Sequence, residues 1–229
     1  MREIKPEFLN YIIEQKIAPG TRLPTLAEMS DEIGISVGKL REQLEVARSR
    51  GLVSVKPRVG TQREPFDFHP VTRDSVLFGL ASGEAEFEHF SELRQAIETG
   101  LWMPAVTRLT VQDRDDLREL IARAWEKLYG KPVLIPNPEH RQLHLTIFRR
   151  LDNPFVKGIL EAYWDIYEAI EVTRLASYQY WLEVWEYHEK IVNSICEGDF
   201  LRGQHLLQEH FELLPTVTAT VSPNGERAA

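Results

Sequence analysis

Apolar residues recur at helical spacing from the start of the chain: Phe8, Leu9, Tyr11, Ile12, Ile13 and Ile17, closed by the breaker pair Pro19-Gly20. A second helix opens at Thr25. Glu28 follows three residues later, the spacing of a capping box, and the helix carries Leu26, Met29 and Ile33 before ending at Gly34. Ser36 is placed to cap a third helix with Leu40, Leu44 and Ala47 on one face and Gly51 at its end. Beyond it, Leu52–Val55, the turn Lys56-Pro57-Arg58 and Val59-Gly60-Thr61 predict a short two-stranded hairpin.

Helix, helix, tight turn, helix and hairpin in this order describe a winged helix-turn-helix. Residues 64–72 hold two prolines and little periodicity, and are expected to be a linker. After them the pattern is helical, with helices expected at 73–82, 86–109, 111–129, 137–151, 154–175, 177–198 and 200–214. Pro104 should kink or divide the second of these. The expected fold is therefore mainly α: a head over 1–63 with a β-hairpin wing, the linker, an all-helical antiparallel bundle of six or seven helices over 73–214, and a frayed tail over 215–229.

Charge sharpens this division. The chain has 27 basic and 35 acidic residues, a net charge of -8, which alone argues against DNA. Residues 1–63, however, hold 11 basic and 8 acidic residues, so the excess of acid lies in the rest. The one cysteine, Cys196, excludes an intramolecular disulfide and a thiolate metal site. No apolar run suffices for a membrane helix and the N-terminus lacks a signal core, so a cytoplasmic protein with no membrane partner is expected.

The third helix exposes Lys39, Arg41, Arg48 and Arg50, and the hairpin tip adds Lys56 and Arg58. These are cations on the helix that would enter a groove and on the wing beside it. A solvated basic face is the alternative for the charges taken alone. The runs Ala18-Pro19-Gly20-Thr21-Arg22-Leu23-Pro24, Ile33-Gly34-Ile35-Ser36, Leu40-Arg41-Glu42, Gly51-Leu52-Val53 and Val59-Gly60-Thr61 resemble the GntR family of bacterial transcriptional regulators over residues 5–62. The resemblance implies operator DNA as partner, contacted by Thr25, Ser36, Lys39, Arg41, Arg48, Lys56, Arg58 and Gly60. Ala27 and Val37 stand where that family often has arginines, which removes two forked donors and points to a different operator.

All seven histidines lie after residue 63. His140 and His144, four apart on one expected helix, share a face and suit a common divalent cation. His188 and His210 lie 22 positions apart around Glu197-Gly198-Asp199, so two antiparallel helices would bring them level in the bundle core. These residues resemble the FCD-type ligand-binding domain of the FadR subfamily of GntR regulators. The resemblance implies metal ligands at His144, His188 and His210, with His140 where the family has aspartate, and Asn153 nine positions beyond His144. Four neutral imidazoles favour zinc or nickel over magnesium or calcium. It further implies a homodimeric regulator, acting as a repressor, that senses a small carboxylate. Arg94, which with Glu98 matches a family pair, is the candidate carboxylate contact, joined by Asn153, Tyr163 and Tyr167. An Arg94–Glu98 surface ion pair is the alternative. Two other functions compete: a histidine-ligated metalloenzyme carrying a DNA-binding head, and a regulator whose metal is purely structural. No general base is evident near the histidines, so the chain is expected not to be an enzyme.

Overall fold

The computed structural model describes residues 6–171 and 176–213, which form two compact units divided between Ser75 and Val76. The expected tail at 215–229, residue 214 and the stretch 172–175 lie outside the described residues.

The first unit contains α1 (Glu7–Glu14), α2 (Leu26–Ile33), α3 (Val37–Ser49) and the antiparallel strands β1 (Val53–Lys56) and β2 (Gly60–Arg63). Local signals set these limits. Thr25 and Glu28 close a reciprocal capping box at the start of α2, and Gly34 ends it in the left-handed conformation at φ +77°. The Ser36 hydroxyl accepts from the Lys39 amide to start α3. Phe8, Tyr11, Ile12, Leu23, Met29, Leu40, Leu44, Ala47 and Val53 form the core. Gln43 crosses that core, accepting from the Phe8 amide at 2.8 Å and donating to Glu7 at 2.6 Å. The hairpin pairs Val53 with Arg63 and Lys56 with Gly60. Residues 20–23 bond to the outer side of β2, the Leu23 amide to the Thr61 carbonyl and the Arg63 amide to the Thr21 carbonyl. Gly60 has φ +91°, and a Cβ there would press on the Arg22 guanidinium, so the wing needs glycine at this position.

Eight helices follow among the described residues: α4 (His69–Ser82), α5 (Phe87–Gly100), α6 (Trp102–Val106), α7 (Val111–Leu128), α8 (Asn137–Phe148), α9 (Pro154–Ala169), α10 (Tyr178–Glu197) and α11 (Phe200–Phe211). Two differences from the sequence expectation have physical causes. Helix α4 starts at His69, so the end of the expected linker is helical: Asp67 accepts from the His69 amide, and Pro70 at the second position is compatible with a first turn. The expected helix over 86–109 is divided at Leu101. Pro104 cannot donate to the Gly100 carbonyl and its ring would collide with it, so a new short helix begins at Trp102.

In the second unit α7 packs on α8 and α10, α10 folds back on α11 through Gly198, and α5 packs on α9. One core gathers Trp102, Leu117, Leu120, Leu143, Ile147, Trp181, Trp185, Ile191 and Leu207; another joins Phe87, Phe90, Tyr163, Trp164 and Tyr167. Among the described residues no helix is long and apolar enough to cross a membrane.

Candidate metal centre and nucleic-acid interface

Helix α8 presents His140 and His144 one turn apart, α10 supplies His188 and α11 supplies His210. The Gly198 turn folds α11 against α10 and brings the last two rings to 4.3 Å between centroids. All four side chains are buried, at 0–2% exposure, and one ligand atom from each lies within 4.8 Å of the others. The Nε2 atoms of His144 and His188 are 3.1 Å apart. Cis nitrogens on one ion at ~2.1 Å would lie about 3.0–3.4 Å apart, so this pair already has ligand spacing.

The hydrogen bonding fits a cation. Among the described residues neither ring nitrogen of His140 has a hydrogen-bond partner, nor do the Nδ1 atoms of His188 and His210. Buried imidazoles are ordinarily paired, and unpaired ones cost about 1–3 kcal/mol each. Burial pushes His140, His188 and His210 well below the ordinary histidine value. It also lowers His144, against an opposing pull from Glu98. Burial thus favours the neutral rings, and a neutral imidazole keeps one lone pair for a metal. Trp164, Trp181 and Trp185 wall the cluster, with Trp164 edge-on to His140 at 4.6 Å.

Arg94 on α5 is also buried, at 1% exposure. Its Nε and Nη2 donate to Glu98 at 2.8 and 3.1 Å, and Nη1 donates to the Tyr163 hydroxyl at 3.4 Å. Nη2 also lies 2.9 Å from His144 Nδ1. The Arg94–Glu98 pair therefore exists, but in the core rather than on the surface. Burial opposes both charges, yet each holds the other ionised: Glu98 stays below the usual carboxylate range and Arg94 above its ordinary value. Glu98 Oε2 lies 3.0 Å from His144 Nδ1, a contact the sequence does not announce. The spacing of Arg94 and Glu98 is the same for a surface pair as for a buried one.

Tyr163 and Tyr167 are buried and flank this group, the Tyr163 ring 4.7 Å from the Arg94 guanidinium and the Tyr167 ring 5.9 Å from His140. Asn153 lies apart from the buried group. It is exposed, outside the buried cluster, and its Oδ1 accepts from the Phe155 and Val156 amides as the cap of α9. With Pro154 next in sequence, Asn153 has the residue type and position of a helix cap.

In the first unit Thr25, Ser36, Lys39, Arg41, Arg48, Lys56 and Arg58 are all exposed and Gly60 is half-buried. They differ in freedom. Lys39 is paired with Glu7 at 2.7 Å, and Arg48 with Glu45 at 2.6 Å. The Thr25 hydroxyl is engaged with Glu28. Arg41, Lys56 and Arg58 have no ion-pair partner among the described residues, and Arg58 sits at the wing tip with φ +64°.

Comparison with known proteins decides what these units are. Residues 2–62 match the bacterial regulatory proteins of the gntR family, and residues 89–213, more than half the chain, match the FCD domain. The chain belongs to the GntR family, in its FCD-containing branch. This GntR regulator is 23% identical over 217 residues to the uncharacterized HTH-type transcriptional regulator YcbG of Bacillus subtilis, covering 93% of this chain and 87% of that one. It is 20% identical over 208 residues to the HTH-type transcriptional regulator LutR of the same organism, covering 85% and 90%. The Streptococcus agalactiae GntR structure shares the fold, with a TM-score of 0.60 at 16% identity over 90% of this chain and 93% of that one. The family and its relatives are transcriptional regulators, not enzymes.

Proposed function

We propose that this GntR regulator represses transcription as a homodimer on operator DNA, and that its helical unit binds a divalent transition metal and a small carboxylate effector. The head, residues 1–63, contacts DNA, with Arg41 on α3 and Lys56 and Arg58 on the wing as the principal phosphate or base contacts. Thr25, Ser36, Lys39, Arg48 and Gly60 complete the surface. The short segment 64–72 joins the head to the sensor, residues 73–214.

The observation that carries the metal reading is the convergence of four buried imidazoles, three of which have a ring nitrogen without a partner among the described residues. His140, His144, His188 and His210 would hold the ion, and an all-imidazole set favours zinc or nickel. Bound there, the ion would supply Lewis acidity and positive charge for an anion. Arg94 would orient the effector's carboxylate through Nη1, whose bond to Tyr163 is long at 3.4 Å, with Tyr163 and Tyr167 closing the site. The effector changes operator affinity only in so far as it prefers one dimer arrangement over the other.

A screen of small carboxylates tests this by thermal shift and operator release, each with and without chelator. The expected hit stabilises the metal-loaded protein, releases DNA, and loses both effects on chelation. Stabilisation and release that survive metal removal would overturn metal-assisted sensing and leave a structural metal.

A further inference from the structure

Glu98 has no assigned task in this reading beyond its pairing with Arg94, yet it touches the cluster directly. It is fully buried, its Oε1 bonded to Arg94 Nε at 2.8 Å and its Oε2 3.0 Å from His144 Nδ1. Among the described residues it is the carboxylate in hydrogen-bond contact with a cluster histidine. A carboxylate can only accept from that ring, and Arg94 Nη2, at 2.9 and 3.2 Å from both ring nitrogens alike, is not aimed at one lone pair, so the Glu98 contact places the proton on Nδ1. That tautomer leaves the Nε2 lone pair free, and Nε2 is the atom 3.1 Å from His188 Nε2. Carboxylates that hold a ligating histidine in this way fix its tautomer and orientation and raise its basicity.

The charges around the cluster add a second argument. The four imidazoles bring no negative charge to offset a cation. The fixed charges beside them are Glu98 and Arg94, which oppose each other in their effect on any ion bound there. Arg94 Nη2 lies 2.9 Å from Nδ1 and 3.2 Å from Nε2 of the same His144 ring, so a like charge sits beside a ligand atom.

We propose that Glu98 is a positioning residue of the metal centre. It holds His144 with Nδ1 protonated and Nε2 turned into the cluster, and its charge, set against that of Arg94, fixes the affinity for the ion. This rests on the metal reading above. It differs from a structural ion pair in one respect. Breaking a purely structural pair from either side would disturb the cluster in the same direction. Here the two partners should act with opposite sign.

The test measures zinc affinity of the full chain by competition with a chromogenic chelator, in wild type, Glu98→Gln and Arg94→Met. Glu98→Gln is expected to weaken zinc binding about 10–100-fold. Arg94→Met, which removes a repelling charge and leaves an alkyl chain against Tyr163 and Trp164, is expected to tighten it roughly tenfold. If Glu98→Gln alone does not fold, the double variant Arg94→Met/Glu98→Gln buries no lone cation. Compared with Arg94→Met, it is expected to show the same 10–100-fold loss. Shifts of both single variants in one direction, or of neither, would overturn the proposal while leaving the metal reading intact. A wild-type chain that binds no zinc or nickel would overturn both.

Discussion

The Nε2 atoms of His144 and His188 face each other at 3.1 Å across two helices, 44 positions apart in sequence. Two lone pairs at this distance would repel, so a proton or another positive centre belongs between them. A proton shared between the rings would satisfy that pair alone. A metal ion, taking one nitrogen from each ring, would satisfy the pair and draw in His140 and His210 as well.

His140 gives a two-sided outcome. Both its ring nitrogens are buried without a partner among the described residues, in a wall of Trp164, Trp181 and Trp185. Removing them relieves an unsatisfied group worth about 1–3 kcal/mol. His140→Leu should therefore raise the melting temperature in the presence of chelator while lowering zinc affinity. Melting curves with excess chelator and with zinc check both signs. A loss of apo stability would show that His140 has a partner in solution.

Asp113 ties α7 to the end of α8. It accepts from Arg150 at 2.8 Å, from Arg149 at 2.5 Å and from the Thr110 amide at 2.7 Å. The Arg150 bond first, then those from Thr110 and Arg149, outweigh burial and hold its carboxyl well below the usual range. A depressed carboxyl contributes stability that is present above its unfolded value near 4 and is lost as pH falls towards its folded value. Asp113→Asn should cost about 2–3 kcal/mol at pH 7, with the gap to wild type narrowing below pH ~4. Denaturant unfolding at pH 7 and pH 3 measures it.

Cations in the head should not be equal. Arg41 is exposed without an ion-pair partner among the described residues, whereas Lys39 must leave Glu7 to reach a phosphate. Arg41→Ala should weaken operator binding by more than Lys39→Ala. If Arg41 meets a phosphate, the slope of log affinity against log salt should also fall by about one. Binding measured from low to high salt separates the two.

Gly203 on α11 has Trp102 for a neighbour, and a Cβ there would come within 2.7 Å of the indole ring. The Trp102 ring is itself anchored by its Nε1 donating to the Phe200 carbonyl at 2.7 Å. Gly203→Ala should therefore destabilise the helical unit by about 1–3 kcal/mol despite the higher helix propensity of alanine. A thermal melt reads the outcome directly.

Elements with strong local signals were legible before the structure. The Thr25/Glu28 box, the Ser36 cap and the Gly34 stop are decided within a few residues, so α2 and α3 follow from sequence. The histidines were legible as well, because spacing of four on one helix and a Gly198 turn midway between two others set their faces. What escaped depended on packing. Arg94 and Glu98 at a spacing of four describe a surface pair as well as a buried one, and the packing of α9 and α11 on α5 puts them inside. Asn153 carries a local signal as well: the resemblance assigns it to the effector, while its own neighbour Pro154 marks it as a cap. His69 and Pro70 looked like linker because a proline was weighed as a breaker rather than as a first-turn residue.

Metal content tests the four-histidine centre most directly. The full chain is purified without chelator, beside a His188→Ala/His210→Ala variant shown to be folded, and zinc and nickel are quantified per chain by elemental mass spectrometry. About one ion per wild-type chain is expected, with the variant near zero. Equal content in the two, or a wild-type chain that stays empty when zinc or nickel is supplied, would contradict a metal centre at His140, His144, His188 and His210.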